Sequence, residues 1–335
     1  MGKNFHIPDY ELVIEIARGS YGQVWLARSV LGAWRAVKIV QRSLFEDSRP
    51  YQREFNGIRH YEAISRGHAG LVDVLHVGRN EEDEYFYYVM ELADDQVVGQ
   101  EIRSADYTPR TLQSDLAARG PLPGGEVVAL GAELAEALEY LHGHGLIHRD
   151  IKPSNIIFVD GRPKLADIGL VADAGMSSFS VGTLGFLPEE GTGDPRADIF
   201  ALGKVLYEAG TGMDRNDFPD LPDHARALAG NDPLMQLNEL LLRACAHEEK
   251  ERFASAGEFA LELRRIIAPS IFSGPFSWRE RRLIAIAAVL ALLLALSDAL
   301  LIYLGTREDP PPNDIAEPSA GEVLQGKFED GDNLD

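Results

Sequence analysis

The run His148-Arg149-Asp150-Ile151-Lys152-Pro153-Ser154-Asn155 gathers a carboxylate, an ammonium and an amide within eight residues, and Asp167-Ile168-Gly169 adds a second carboxylate twelve residues past Asn155. Such a set can orient a hydroxyl nucleophile, neutralise a transferring phosphoryl group and hold Mg²⁺ through oxygen donors. A chance match to so ordered a pattern is remote. Upstream, Ala17-Arg18-Gly19-Ser20-Tyr21-Gly22-Gln23-Val24 places two glycines between strand-like runs. There backbone amides can approach phosphate oxygens that a Cβ would keep away. Alone that signal is weak, because many hairpins contain such glycines. In Ala36-Val37-Lys38 a lysine lies among the apolar residues of a third strand. It either holds an anion or extends its head to the strand edge.

These groups need elements to position them. Residues 10–40 read as short β-rich runs separated by Gly-containing turns, a strand meander. A helix is expected around Tyr51–Ser65, then strands over Leu71–Val77 and Tyr85–Glu91, split by the acidic turn Asn80–Glu84. After Leu92 the pattern becomes helical. Leu130, Leu134, Leu138 and Leu141 recur at helical spacing, as do Ile199, Leu202, Leu206 and Ala209. Leu234, Leu237, Leu241 and Ala244 form a third stripe, and Ala256, Phe259, Leu263 and Ile266 a fourth. Such stripes are core rather than cofactor sites.

With the motifs in this order, residues 10–267 resemble a Hanks-type (eukaryotic-like) serine/threonine protein kinase of the bacterial membrane-anchored kind. The resemblance implies an α+β class, a two-lobed protein-kinase-like fold. A small β-rich N-lobe would cover about 10–93 and a larger helical C-lobe about 94–267, with residues 1–9 as an N-terminal extension. It implies ATP and Mg²⁺ (or Mn²⁺) as cofactors and a protein carrying Ser or Thr as partner. Ala17, Gly19, Gly22 and Val24 would cover the nucleotide, with Ala36 beside the base. Lys38 would contact the α/β-phosphates and pair with a helix glutamate, Glu54 in preference to Glu62. Met90 would be the gatekeeper, and Glu91 to Ala93 the hinge that reads adenine. Asp150 would orient the acceptor hydroxyl with Lys152 on the γ-phosphate, and Asn155 and Asp167 would ligate the metal.

Gly182-Thr183-Leu184-Gly185-Phe186-Leu187-Pro188-Glu189 resembles the substrate-docking segment of that family. By the same resemblance Thr183 contacts Asp150, Asp198 holds the catalytic-loop backbone, and Glu189 pairs with Arg252. Arg149 beside Asp150 resembles kinases activated by phosphorylation, which makes Ser177, Ser178 and Ser180 candidate phosphosites. Lys152 and Thr183 favour Ser/Thr over Tyr as acceptor. Three positions depart from the pattern: Ala17 for the first glycine, Ile168 for a phenylalanine, and Leu187 for an alanine. None removes a charged group. The competing readings are a pseudokinase acting as a nucleotide-binding scaffold and a small-molecule phosphotransferase.

The net charge of −21, from 32 basic and 53 acidic residues, opposes a nucleic-acid partner. A composition 45% hydrophobic and 25% charged is that of an ordinary globular protein. A lone cysteine, Cys245, excludes an internal disulfide. Met1–Tyr10 lacks the apolar run of a signal peptide, and His6 stands where a myristoylation motif needs Ser or Thr.

Leu283–Leu304 is a run of 22 residues with one charge, Asp298. At ~1.5 Å per residue it is long enough to span a bilayer, so a single transmembrane helix is expected. Arg264, Arg265, Arg279, Arg281 and Arg282 precede it and only Arg307 lies close behind it. The larger part should therefore face the cytoplasm and the tail the outside. Asp298 is either hydrated near the headgroups or a polar contact between two spanning helices, as in a homodimer. Residues 268–282 read as a juxtamembrane linker. The tail, 305–335, carries −7 from nine acidic residues against Arg307 and Lys327 and should be disordered.

Overall fold

The structure, a computed structural model, describes residues 5–19, 22–82, 84–167, 172–173 and 183–268. The expected span 283–304, the linker beyond 268, the tail, Ile168, Gly169 and the candidate phosphosites Ser177, Ser178 and Ser180 lie outside the described residues. Among the described residues no helix is long and apolar enough to cross a membrane.

Five antiparallel strands open the fold: β1 (Tyr10–Gly19), β2 (Gly22–Ser29), β3 (Trp34–Gln41), β4 (Val74–Asn80) and β5 (Tyr85–Met90), in the order β1-β2-β3-β5-β4. Register puts Val24 opposite Lys38 and Lys38 opposite Tyr88, with Ala36 opposite Met90. Directly opposed residues share a face, so these side chains are brought to one side of the sheet. β5 departs from alternation, reading YFYYVM with little exposure along its length. The cause is a covered outer face. Phe5 packs edge-on to Tyr85 at 5.3 Å, Ile7 is buried, and the Tyr85 hydroxyl donates to His6 O at 2.7 Å. Phe5 and Ile7, in the segment read from sequence as an extension, thus pack into the core of the sheet.

Between β3 and β4 runs α1 (Ser48–Ser65), capped by Asp47, whose carboxylate accepts from Arg49 N at 3.0 Å. Its buried residues Tyr51, Glu54, Ile58, Tyr61 and Ser65 follow the helical repeat. Glu54 therefore points inward as a consequence of the same stripe that buries Tyr51 and Ile58.

The second half is helical: α2 (Leu112–Arg119), α3 (Gly124–Gly143), α4 (Pro195–Thr211), α5 (Asp223–Arg226), α6 (Pro233–Ala244) and α7 (Ala256–Ile267). The α3 helix is packed against α4, α6 and α7, and its residues Leu130, Leu134, Leu138 and Leu141 are buried. The α4 helix starts on an Asp194 cap with Pro195 in its first turn and stops at Gly212, which takes φ +71°. Between α3 and α4 come β6 (Leu146–Ile147), β7 (Ile156–Val159), β8 (Arg162–Leu165) and β9 (Ala172–Asp173), with β7 paired to β8 and β6 to β9. The chemistry-bearing loop 148–155 lies between β6 and β7. One core cluster continues from Val40, Tyr88 and Ile58 into Leu134, Leu138 and Leu202, which joins the sheet half to the helical half.

Candidate active site

A cleft of about 570 Å³ is lined by β1, β2, β3, the segment after β5, and the loops around Asp150 and Asp167. It collects Ala17, Gly19, Gly22, Val24, Ala36, Lys38, Met90, Glu91, Ala93, Asp150, Lys152, Asn155, Asp167 and Thr183, residues the sequence had singled out. Gly22 is required by the sheet itself: a Cβ there would stand 2.3 Å from Ile39 O, at φ +149°. At Gly19 a Cβ meets nothing within 4 Å.

Asp150 is buried and fully engaged. Its Oδ2 accepts from Lys152 Nζ at 2.7 Å and from Asn155 Nδ2 at 2.9 Å, while Oδ1 accepts from Thr183 Oγ1 at 2.8 Å. Lys152 Nζ also donates to Thr183 Oγ1 at 3.0 Å, and Asn155 Nδ2 to Asp150 O at 2.7 Å. Beneath this loop the buried Asp198 accepts from the backbone N–H of His148 and of Arg149, each at 2.8 Å, and hydrogen-bonds His142 Nε2 at 2.8 Å. Burial opposes its charge, yet His142, His148 and the Arg149 N–H hold the Asp198 carboxyl below its ordinary value. Arg149 itself takes φ +71°.

Above the loop, Lys38 Nζ donates to Asp167 Oδ1 at 2.6 Å. Burial opposes the Lys38 charge, but Asp167, Tyr88 and Glu54 together hold its pKa well above normal. Asp167 is lowered against its own desolvation, chiefly by Lys38. The expected partner, Glu54, is nearby and buried, but no ion pair joins it to Lys38 among the described residues. Its Oε1 has no hydrogen-bond partner among the described residues. Burial pushes the Glu54 carboxyl up to about 8 in spite of Lys38, and Asp167 adds to the rise. The lysine pairs with Asp167, whose side chain is 42% exposed, rather than with the buried Glu54.

A second difference concerns Arg252. Its buried guanidinium pairs with Glu190 rather than Glu189, and also donates to Ala246 O at 2.9 Å and His247 O at 3.2 Å. The turn closed by Gly191 N on Pro188 O (3.1 Å) leaves Glu189 exposed and aims the next side chain at Arg252.

The Glu91 side chain turns away from the cleft to Lys164 Nζ and Asp73 N. Cleft residues that sequence reasoning missed include Tyr88, Tyr107, Pro109, Thr111 and Ile157. Tyr88 was legible as the cross-strand partner of Lys38 once the register was known. Tyr107, Pro109 and Thr111 come from an irregular segment with no periodic signal. As for metal donors, no cluster of three His, Cys, Asp or Glu exists among the described residues. The pair Asn155 and Asp167 suits Mg²⁺, a hard cation that takes one or two protein oxygens and completes its shell with water and phosphate oxygens. Because Nδ2 makes both of the Asn155 bonds to Asp150, the Oδ1 atom is left for such an ion.

A sequence profile described as a protein kinase domain matches residues 10–251. The chain belongs to the protein kinase family, and its relatives are of the eukaryotic-like serine/threonine class. It is 30% identical to the serine/threonine-protein kinase AfsK of Streptomyces coelicolor over 62% of this chain and 25% of that protein. It is 29% identical to the serine/threonine-protein kinase PknB of Mycobacterium leprae over 78% of this chain and 43% of that one. These curated relatives are therefore matched over less than half of their length. In fold it is similar to the Mycobacterium tuberculosis PknI kinase domain, with a TM-score of 0.57 at 24% identity over 80% of this chain and all of that one.

Proposed function

We propose that the chain is an active protein serine/threonine kinase that transfers the γ-phosphoryl group of ATP to a protein hydroxyl. The observation that carries this reading is the arrangement of Asp150, held by Lys152, Asn155 and Thr183, in one cleft with the Lys38–Asp167 pair. A nucleotide-binding scaffold needs no such triply held carboxylate.

Asp150 orients the acceptor hydroxyl and receives its proton. The acceptor oxygen bonds to the γ-phosphorus as the bridging P–O bond to the β-phosphate breaks, and ADP departs. Lys152, already beside Asp150, turns its ammonium to the γ-phosphate oxygens, and Lys38 holds the α/β-phosphates. Asn155 and Asp167 would hold Mg²⁺, which would supply charge neutralisation at the phosphates. Most of the acceleration then comes from positioning and preset charge. Regulation by phosphate on Ser177, Ser178 or Ser180 belongs to this reading, as does anchoring through residues 283–304 with the kinase part cytoplasmic.

One experiment tests these points. Full chain isolated from membranes is incubated with MgATP and a generic protein substrate beside its Asp150→Asn variant, then mapped by mass spectrometry. We expect phosphate on Ser or Thr, including the 177–180 segment, in the wild type, and a transfer rate about 10²–10⁴-fold lower in the variant with ATP affinity retained. Equal transfer by the variant refutes the role of Asp150. ATP binding without transfer in the wild type points to the scaffold. Recovery of the full chain without detergent removes the anchor.

A further inference from the structure

Between β5 and α2 the chain runs from Asp94 to Thr111 with isolated bridges only, yet it is firmly held. The Asp95 carboxylate accepts from Val97 N (2.8 Å), Val98 N (2.9 Å) and Thr108 N (3.0 Å). The Asp94 carboxylate accepts from Asp160 N (3.0 Å) and Gly161 N (2.8 Å) in the β7–β8 turn. Arg110 lies 4.3 Å over the Phe158 ring and forks onto Asp115. Such anchoring makes the segment a fixed wall rather than a loose loop.

The wall presents Tyr107, Pro109 and Thr111 to the nucleotide cleft. Tyr107 is 5% exposed, and its hydroxyl donates to the carbonyl oxygen of Ala93 at 3.0 Å. Ala93 and Glu91 line the same cleft. Neither the Ala93 N–H nor the Glu91 carbonyl has a hydrogen-bond partner among the described residues, so the Ala93 carbonyl is the one cleft group of these three that the protein itself satisfies.

We infer that Tyr107 is a base-specificity residue of this cleft, because its hydroxyl competes for the Ala93 carbonyl while Glu91 O and Ala93 N stay unengaged as an acceptor and a donor. Adenine matches that pair, its amino group donating to Glu91 O and its N1 accepting from Ala93 N. Guanine offers O6 as acceptor with N1–H and a 2-amino group as donors. A donor and an acceptor on the same residue, Ala93, would suit guanine, and the Tyr107 hydroxyl already holds one of the two lone pairs of that acceptor. A site whose polar groups are already paired rejects a ligand that would need them. The inference rests on the reading of the cleft as an ATP site.

The test uses the full chain and its Tyr107→Phe variant, which removes one oxygen and keeps the ring. Dissociation constants for MgATP and MgGTP are measured by calorimetry, with kcat and KM for each nucleotide. We expect the ATP-over-GTP preference to fall at least 5-fold, through stronger GTP binding. An unchanged ratio overturns the inference, even if the variant melts earlier, since a merely structural tyrosine would lower Tm without altering base choice. If the wild type binds neither nucleotide, the ATP-site reading itself fails, a result separable from the first.

Discussion

The loop around Asp150 and the pocket behind Lys38 lie in one cleft and solve opposite problems. Around Asp150 the polar groups are matched: two side chains on one carboxylate oxygen, one on the other, and Asp198 under the backbone. Behind Lys38 the match is incomplete. Glu54 Oε1 and the Tyr88 hydroxyl are buried without hydrogen-bond partners among the described residues, and Lys38 has chosen Asp167. Buried polar networks rigidify when fully satisfied and cost stability when partly satisfied. The Asp150 side is therefore preset, while the Lys38 side is left with bonds still to make; in the proposed function the first handles the hydroxyl and the second the nucleotide.

The largest way to break this contrast is Asp198→Ala. It would orphan the buried N–H groups of His148 and Arg149 and release His142, at a cost of about 3–5 kcal/mol. Calorimetric unfolding reads the stability. Transfer should fall on the order of 10²-fold from misplacement of Asp150 alone. A loss below about 1 kcal/mol would mean the loop holds itself.

Next comes the Glu190 pair. Glu190→Gln removes the counter-charge of the buried Arg252 and leaves it neutral acceptors alone, which should cost about 1–2 kcal/mol in denaturant titration. Glu189→Gln should stay within about 0.5 kcal/mol. The reverse order would restore the pairing expected from the sequence.

The smallest effect is the most diagnostic of the unmatched side. With its folded pKa near 8, Glu54 favours the folded state fully below its unfolded pKa of about 4.5, and that contribution is lost as pH rises through about 8. The melting temperature of the apo wild type should thus fall between pH 6 and 9 more steeply than that of Glu54→Gln. Parallel curves would show that Glu54 is already ionised and paired.

Much of this site was legible in the chain. The eight-residue run at His148–Asn155 declared a chemistry by type and spacing, whereas the glycines, Lys38 and Glu54 took their expected roles from the resemblance. What was not legible was which of two neighbouring groups wins a partner. Glu189 and Glu190 are adjacent in sequence, and the backbone turn at Pro188–Gly191 decided between them. Glu54 and Asp167 both act on Lys38, and only the folded geometry shows that the ion pair goes to Asp167. Tyr107 lay in a segment with neither helical nor strand period, so nothing local tied it to a cleft residue fourteen positions earlier.

By itself, then, the sequence determined the family, through the order of its motifs, and the succession of a β-rich half and a helical half, because these depend on residue type and short-range periodicity. Only the tertiary structure decided the pairings: Lys38 with Asp167, Arg252 with Glu190, Tyr107 with Ala93 and residues 5–7 with the outer face of the sheet. The physical reason is that a buried polar group takes the partner that costs least to desolvate and orient, and both costs depend on residues distant in the chain.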